Sequence, residues 1–423
     1  MTALAAPLSA PVSLTRRVVA PATLILLGLV CVLGFGMYAK HGDASFGFSQ
    51  AFAKVTVPNL DLPARTTCYV LGGLSVAIGV ARGLVPMGKL GRRLSIAAVL
   101  FFFVICLLCW AQAGQPVPFS VVNLLQGTLA ASIPLVLGAL AGCLCERSGV
   151  INIAIEGQLL FGAFAAAIVA SAFGVLFVGL IAGALAGALL GAILALFAIR
   201  YVVDQVVLGV VLNVFAAGLT GFLYDRVLST HQNTLNSPST YPPVKIPVLG
   251  DIPIIGPVFF DSTLFLYLTF ILLAAVQVSL FYTRWGLRVR AVGEHPTAAD
   301  TVGIRVLATR YSNVMIGGLL AGIGGAYLSI GSAGNFSPNM SSGMGYIALA
   351  ALIFGRWTPF GATLAALLFG FTTELASVLS TLNVPINPYL LSMTPYVATI
   401  IAVAGLVGRV RAPAADGQPY TKS

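Results

Sequence analysis

Apolar residues in this chain come in long unbroken runs, not in the alternating or three-four spacing of a half-buried element. Runs near 19–38, 67–86, 94–112, 120–143, 154–173, 175–199, 205–224, 263–283, 310–331, 358–380 and 389–408 are each about 20 residues, enough for a helix to cross a bilayer. A further run at 343–356 is short for a full crossing and is expected to be a broken or re-entrant helix. The pattern predicts an all-α, polytopic helical membrane protein with about twelve (10–12) transmembrane helices. The first run, "VAPATLILLGLVCVLGFGMY" after Arg16 and Arg17, is too long for the apolar core of a signal peptide and is expected to stay as a span.

Between the runs, two polar stretches have real length, 39–66 and 225–262. The second carries Pro238, Pro242, Pro243, Pro247, Pro253 and Pro257, which are expected to stiffen it and keep it extended. It reads either as a docking surface for an external partner or as a plain connector.

Composition narrows the class. Hydrophobic residues make up 58% of the chain and charged residues 8%, against roughly 25% charged in a soluble domain, so a soluble fold is excluded. The net charge of +10 does not point to nucleic acid, because the basic residues stand singly at the ends of apolar runs. With the N-terminus inside, seventeen basic residues fall on the cytoplasmic side and five (Lys40, Lys54, Arg65, Arg226 and Lys245) outside. That asymmetry orients the protein in the membrane, and an even span number puts both termini in the cytoplasm.

Candidate chemistry is sparse. "GLVPMGKL" at 83–90 fits the start of a phosphate-binding loop, but Leu90 stands where a magnesium-binding hydroxyl is needed and the stretch ends a membrane helix instead of following a strand. His41, His231 and His295 all sit in loops, and the six cysteines lie in or beside apolar runs as small packing residues. No paired catalytic groups, metal-ligand set or cofactor motif is present, so the chain reads as neither an enzyme nor a cofactor binder. Glu156, four residues after Asn152 in a predicted helix, and Glu374 in "LFGFTTELAS" are the carboxylates near or within spans. A charge there is costly, so with Asn213 they are candidates for a translocation path, the alternative being a hydrogen bond to a neighbouring helix. Asn335 and Asn339 are weaker polar candidates. Gly179, Gly183, Gly187 and Gly191 fall every fourth residue and predict close helix packing.

The most charged stretch, "RWGLRVRAVGEHPTAADTVGIRV" at 284–306, stands on the cytoplasmic side. Pro296 suits a first helical turn, His295 or Thr297 can cap it, and Gly303 can stop it. A short rigid helix between spans suits a membrane protein that receives force from a soluble partner.

This stretch resembles the coupling loop of ABC importer permeases, in particular the nucleoside and simple-sugar uptake group related to ribose and branched-chain amino acid permeases. "ERSGVINIAIEGQLLFGAF" (146–164), "GGLLAGIGGAYLSIG" (317–331), "GYIALAALIFGRWTPFGA" (345–362) and "LVGRVRAPAADGQPY" (406–420) resemble the same group in order. The resemblance implies that Glu294, Pro296, Ala298, Ala299, Asp300 and Gly303 couple the chain to an ATPase, and that Asn152, Ile153, Glu156 and Gly157 form a family motif. It also implies partners: an ABC ATPase subunit carrying ATP and Mg, a second permease subunit in a heterodimer, and an external substrate-binding lipoprotein. The chain departs from the group at its N-terminus, since members often begin near residue 120. Residues 1–115 are therefore expected as an extension of about three spans, 116–412 as the permease core with coupling loop 284–309, and 413–423 as a cytoplasmic tail. A twelve-span secondary transporter would place its main loop after the sixth span, whereas here it follows the eighth, and buried charges for ion coupling are few.

Overall fold

The computed structural model describes residues 14–50, 55–85, 87–382, 384–394, 396, 397 and 411–421. The chain forms two compact units, Met1–Val122 with Thr381–Pro385 and Asn123–Ser380 with Ile386–Ser423.

In the first unit, α1 (Leu14–Leu29) runs into a π-helical turn at Val30–Gly36. The strands β1 (Asp43–Gly47) and β2 (Leu60–Pro63) follow, then α2 (Ala64–Leu84), α3 (Lys89–Gln112) and β3 (Phe119–Ser120). The polar stretch 39–66 thus folds into sheet: β1 pairs antiparallel with β2 and parallel with β3, in the order β2-β1-β3. Cys68 Sγ donates to Cys106 O at 3.5 Å, joining α2 to α3. Among the described residues, no group of three His, Cys, Asp or Glu is placed to hold a metal ion.

The second unit holds α4 (Val121–Arg147), α5 (Ile155–Phe173), α6 (Leu176–Ala195) and α7 (Gln205–Leu223). Short elements come next: α8 (Gln232–Leu235), β4 (Pro243–Lys245), α9 (Ile255–Phe260) and β5 (Asp261–Thr263). Then come α10 (Leu264–Tyr282), α11 (Arg284–Glu294), α12 (Pro296–Thr301), α13 (Val306–Ala326, ending in a π-helical turn to Ala333), α14 (Met344–Phe354), α15 (Pro359–Thr381) and α16 (Pro388–Ser392).

Among the described residues ten helices are long and apolar enough to cross a membrane, the lower end of the ten to twelve expected. The run at 343–356 yields the 11-residue α14, about 16 Å long, roughly half the hydrocarbon thickness. The run at 389–408 lies mostly outside the described residues. The stretch 225–262 is not extended. Its β4 and β5 pair as an antiparallel hairpin, and Asn236 exchanges two hydrogen bonds with the main chain of Phe336, at 2.9 and 2.6 Å. Proline fixes one backbone angle, which suits turns and helix starts as well as extended chain, so proline content alone did not decide the shape.

The core of this unit lies around α4 and α13, whose apolar windows are 89% and 83% buried, against 28% for α10. Leu140, Leu144, Leu159, Leu320, Leu352 and Phe369 are among its fully or almost fully buried residues. The glycines of α6 serve two neighbours. A Cβ on Gly179 would come within 2.6 Å of Ala170 Cβ on α5, whereas one on Gly187 would come within 2.6 Å of Gly322 Cα and one on Gly191 within 2.8 Å of Val314 O, both on α13. Gly183 stands between, 2.9 Å from both Gly162 O and Ala326 Cβ. Without side chains at the seam the backbones approach closely, which is how helices associate when lipid gives no hydrophobic drive.

The charged stretch 284–306 forms two helices rather than one. Thr283 Oγ1 caps α11 by accepting from Gly286 N at 3.2 Å. Pro296 opens α12, and Gly303, at φ +84°, ends it. His295 occupies the capping position without a side-chain cap bond, so Pro296 and the chain reversal start this helix, not a side-chain cap.

Candidate functional site

Two stretches of irregular backbone meet inside the second unit. One is 148–154, between α4 and α5; the other is 334–343, between α13 and α14. Non-helical backbone at membrane depth persists only where protein or a water-filled cavity satisfies it. Here a carboxylate does part of that work. Glu156, in the first turn of α5 and 8% exposed, accepts from Ser341 Oγ (2.6 Å) and Gly343 N (2.8 Å) through Oε1, and from Gly345 N (2.6 Å) through Oε2. The first main-chain N–H groups of α14 have no partner within their own helix, and they carry the positive end of its dipole. Glu156 is therefore the acidic cap of a helix that lies more than 180 residues away in sequence.

The approach is close because Gly345 has no side chain. A Cβ there would come within 2.5 Å of Glu156 Cα. The turn before it runs through left-handed backbone at Asn339, Ser342 and Gly343 (φ +57°, +44° and +81°), which bends the main chain so that successive N–H groups face the carboxylate.

Asn213 on α7 completes the junction. Its Oδ1 accepts from Gly157 N (2.8 Å), and its Nδ2 donates to Ile153 O (2.9 Å) and Tyr346 Oη (3.1 Å). One side chain thus caps the start of α5 and ties it to α14. Tyr346 and Tyr396 border Gly343 on the rim, with Tyr396 Oη donating to Ser342 O at 2.9 Å.

The far end of α14 leads to Trp357, whose carbonyl accepts from Arg147 Nε at 2.8 Å and whose indole N–H donates to Glu146. That end lies beside the basic end of α4, and about 16 Å of helix, eleven residues, separates it from the start of α14 where Glu156 binds.

The other candidate residues are distributed differently. Asn152 is not on a shared helical face with Glu156, because the backbone there is irregular and α5 begins at Ile155. Asn152 is fully buried, and its Nδ2 donates to Gln158 Oε1 at 3.1 Å. Glu374 stands apart on α15, its carboxyl against Gly127 of α4. Asn339 lies in the turn before α14, and Asn335 between α13 and that turn. Glu294, Pro296, Ala298, Ala299, Asp300 and Gly303 all lie on or beside α11 and α12, at the basic ends of α4 and α13. Gly293 rests against the Arg147 carbonyl, leaving no room for a side chain, so α11 touches the end of α4 directly.

No residue pattern points to Ser341, Gly343 or Gly345, because two of the three donors are main-chain N–H groups. Arg310, one of the seventeen basic residues expected on the cytoplasmic side, is 2% exposed and part of the interior, which the sequence pattern does not reveal. Position at the end of an apolar run looks the same for both roles.

Residues 124–407 match the family described as the permease component of branched-chain amino acid transport systems. The chain is 43% identical to the guanosine ABC transporter permease protein NupQ of Bacillus subtilis, over 71% of this chain and 96% of NupQ. It is 40% identical to the nucleoside ABC transporter permease protein NupC of Lactococcus lactis, over 72% of this chain and 99% of NupC. It is 32% identical to the putative glucose ABC transporter permease protein TsgC13 of Haloferax volcanii, over 71% and 98%. The first two organisms each supply a second, more distant match, the permease proteins NupP and NupB. No solved structure matches the chain. The family match begins at residue 124, so the helices of the first unit lie outside it.

Proposed function

The chain belongs to the permease family of branched-chain amino acid transport systems, and from that premise we propose that it is the membrane-spanning subunit of an ATP-driven importer of nucleosides. Likeness to a guanosine and a nucleoside permease protein, each above the 32% to a glucose permease protein, favours nucleosides over sugars. The pairing of NupQ with NupP and of NupC with NupB supports a heterodimer of two permease chains.

In this reading the face carrying α11 and α12 is cytoplasmic, in a bacterial inner membrane, with both termini on that side. An ABC ATPase holds ATP and Mg and docks there through Glu294, Pro296, Ala298, Ala299, Asp300 and Gly303. An external lipoprotein delivers the substrate, and this chain binds no cofactor. Closure of the ATPase dimer pushes α11 and α12, and the basic ends of α4 and α13 move with them. The single observation that carries the path is the meeting of two helix starts, that of α5 and that of the half-length α14, around Glu156. A half-length helix held at its start gives two rigid bodies a joint, which alternating access needs.

The test is reconstitution of the permease pair, ATPase and binding protein in liposomes, with labelled guanosine, uridine and glucose. ATP-dependent uptake of a nucleoside is the expected result. Glucose uptake without nucleoside uptake would overturn the substrate, and uptake driven by an ion gradient without ATP would overturn the class. Orientation has its own check in intact cells. Ser239→Cys should react with an impermeant thiol reagent and Thr297→Cys should not, and the reverse pattern would invert the topology.

A further inference from the structure

Residues 411–421, which overlap the tail expected at 413–423, are packed into the second unit. Its main chain grips the end of α11: Ala415 N donates to Gly293 O at 2.9 Å, and Ala414 N donates to Glu294 Oε2 at 3.2 Å. Its Tyr420 packs on the small apolar cluster of Val292, Ala299 and Val306, which joins α11, α12 and α13, and its hydroxyl is within hydrogen-bond reach of Asp300.

The other side of the segment faces the spans. Gln418 O accepts from Nη1 of the buried Arg310 at 2.9 Å. Gly149, just past α4, lies between Arg310 Nη2 and Ala415 O, where an added Cβ would come within 2.8 and 3.1 Å of them. Gly417, at φ +73°, sits against Ile151. Asp416 is within hydrogen-bond reach of Glu146 at the end of α4 and acts electrostatically on Arg310. Tyr420 and Thr421 finally reach the end of α6, where with Ile199, Arg200 and Tyr311 they wall a cavity of about 430 Å³.

We propose that residues 411–421 form a strap that makes α11 and α12 move as one piece with the basic ends of α4 and α13, and that Asp416 is the positioning residue that fastens it. This rests on the reading of α11 and α12 as the coupling element. Charge explains the fastening. Arg310 stays protonated under all ordinary conditions, and among the described residues its Nε and Nη2 have no hydrogen-bond partner. The strap therefore brings Arg310 both the Gln418 carbonyl and the charge of Asp416, and through Asp416 it also reaches Glu146 at the end of α4. With the strap away, Arg310 loses its nearest main-chain acceptor and one of its counter-charges. A push on α11 then reaches α4 only through the Gly293 contact, without the second route through Arg310 to α13.

The complete reconstituted importer tests this, with uptake per ATP hydrolysed measured on assembled complex. The substrate is whichever of guanosine, uridine and glucose the wild-type complex imports. Asp416→Ala, and a chain ending at Arg411, are expected to lower that ratio at least tenfold. Asp416→Asn is expected to stay within about twofold, because the amide keeps the size of the side chain and can donate to Glu146. A wild-type ratio in Asp416→Ala overturns the strap, however little complex assembles, since the contact is then only structural. Equal loss in Asn and Ala overturns the fastening argument. Gly303→Trp serves as reference. If it uncouples while the strap variants do not, this inference falls alone, and if it too couples normally, the coupling reading of α11 and α12 falls with it.

Discussion

Glu156 and Arg310 both bury a charge in apolar surroundings, and the second unit treats them in opposite ways. Glu156 meets three donors with two oxygens, all from the turn and first residues of α14. Arg310 has five N–H groups and, among the described residues, one hydrogen-bond acceptor for its guanidinium, the carbonyl of Gln418. Its counter-charge is Asp416, on the same segment. A buried carboxylate with full hydrogen bonding is rigid, because any movement of α14 strands two main-chain N–H groups. A buried cation balanced at longer range keeps its energy over a range of positions. The first arrangement suits a joint that must keep its geometry while helices tilt around it. The second suits a contact that has to hold while the helices it joins shift together.

The comparison breaks first at Gly345. Gly345→Val drives a side chain into the backbone of Glu156 and should cost more than about 4 kcal/mol. Almost no folded chain should be recovered by size-exclusion chromatography. Recovery near the wild-type level would mean that α14 does not approach α5 as described.

Glu156 comes next. Glu156→Ala leaves two main-chain N–H groups and a hydroxyl unpaired, at about 1–3 kcal/mol each. Glu156→Gln keeps one acceptor oxygen but turns an NH2 group toward a donor, so its loss should fall between Ala and wild type, at about 1–3 kcal/mol. Thermal unfolding of the purified chain in detergent ranks the three. Indistinguishable Gln and wild-type proteins would show that the second oxygen accepts no hydrogen bond that matters.

Arg310→Met should cost less, about 1 kcal/mol, because Asp416 can take up a proton and methionine fills much of the volume. The same unfolding measurement near pH 6.5 checks it. A loss as large as that of Glu156→Ala would erase the contrast between the two sites.

The smallest effect is a pH dependence. Burial pushes the Asp416 carboxyl up to about 7, opposed by its hydrogen bond to Glu146 and the charge of Arg310. An acid whose pKa is raised on docking binds its proton more tightly when docked. The advantage to docking is therefore full below the ordinary carboxylate range and is lost as pH rises from there through about 7. Hydrogen exchange at Ala414 and Ala415, corrected for the intrinsic rate, should show protection falling over that interval. Protection that stays flat from pH 6 to 8 would separate Asp416 ionisation from docking.

Most of the helices were legible along the chain, because a run of about 20 apolar residues has few alternatives in or out of a membrane. The breaks at Pro296 and Gly303 were legible too, since each residue type restricts the backbone by itself. Where periodicity was extended into irregular chain it failed, as when Asn152 was placed on the helix of Glu156. The cause is tertiary: Gln205 Oε1 accepts from Ile151 N at 2.7 Å and Asn213 caps Gly157, which together hold 148–154 out of helical form.

What the sequence determined by itself was local: which segments are apolar enough to span, which residues bend the chain, and the bias of basic residues to one side. What only the tertiary structure decided was partnership. Glu156 could be marked as a costly charge, but its partners are main-chain N–H groups at Gly343 and Gly345, and every residue except proline carries such a group, so no residue pattern announces them. Arg310 could be marked as basic, but its burial depends on Gln418 and Asp416 returning more than 100 residues later. Hydrophobic length acts on each segment alone, whereas hydrogen bonds and charge balance act between segments, and those pairs exist only once the helices have packed.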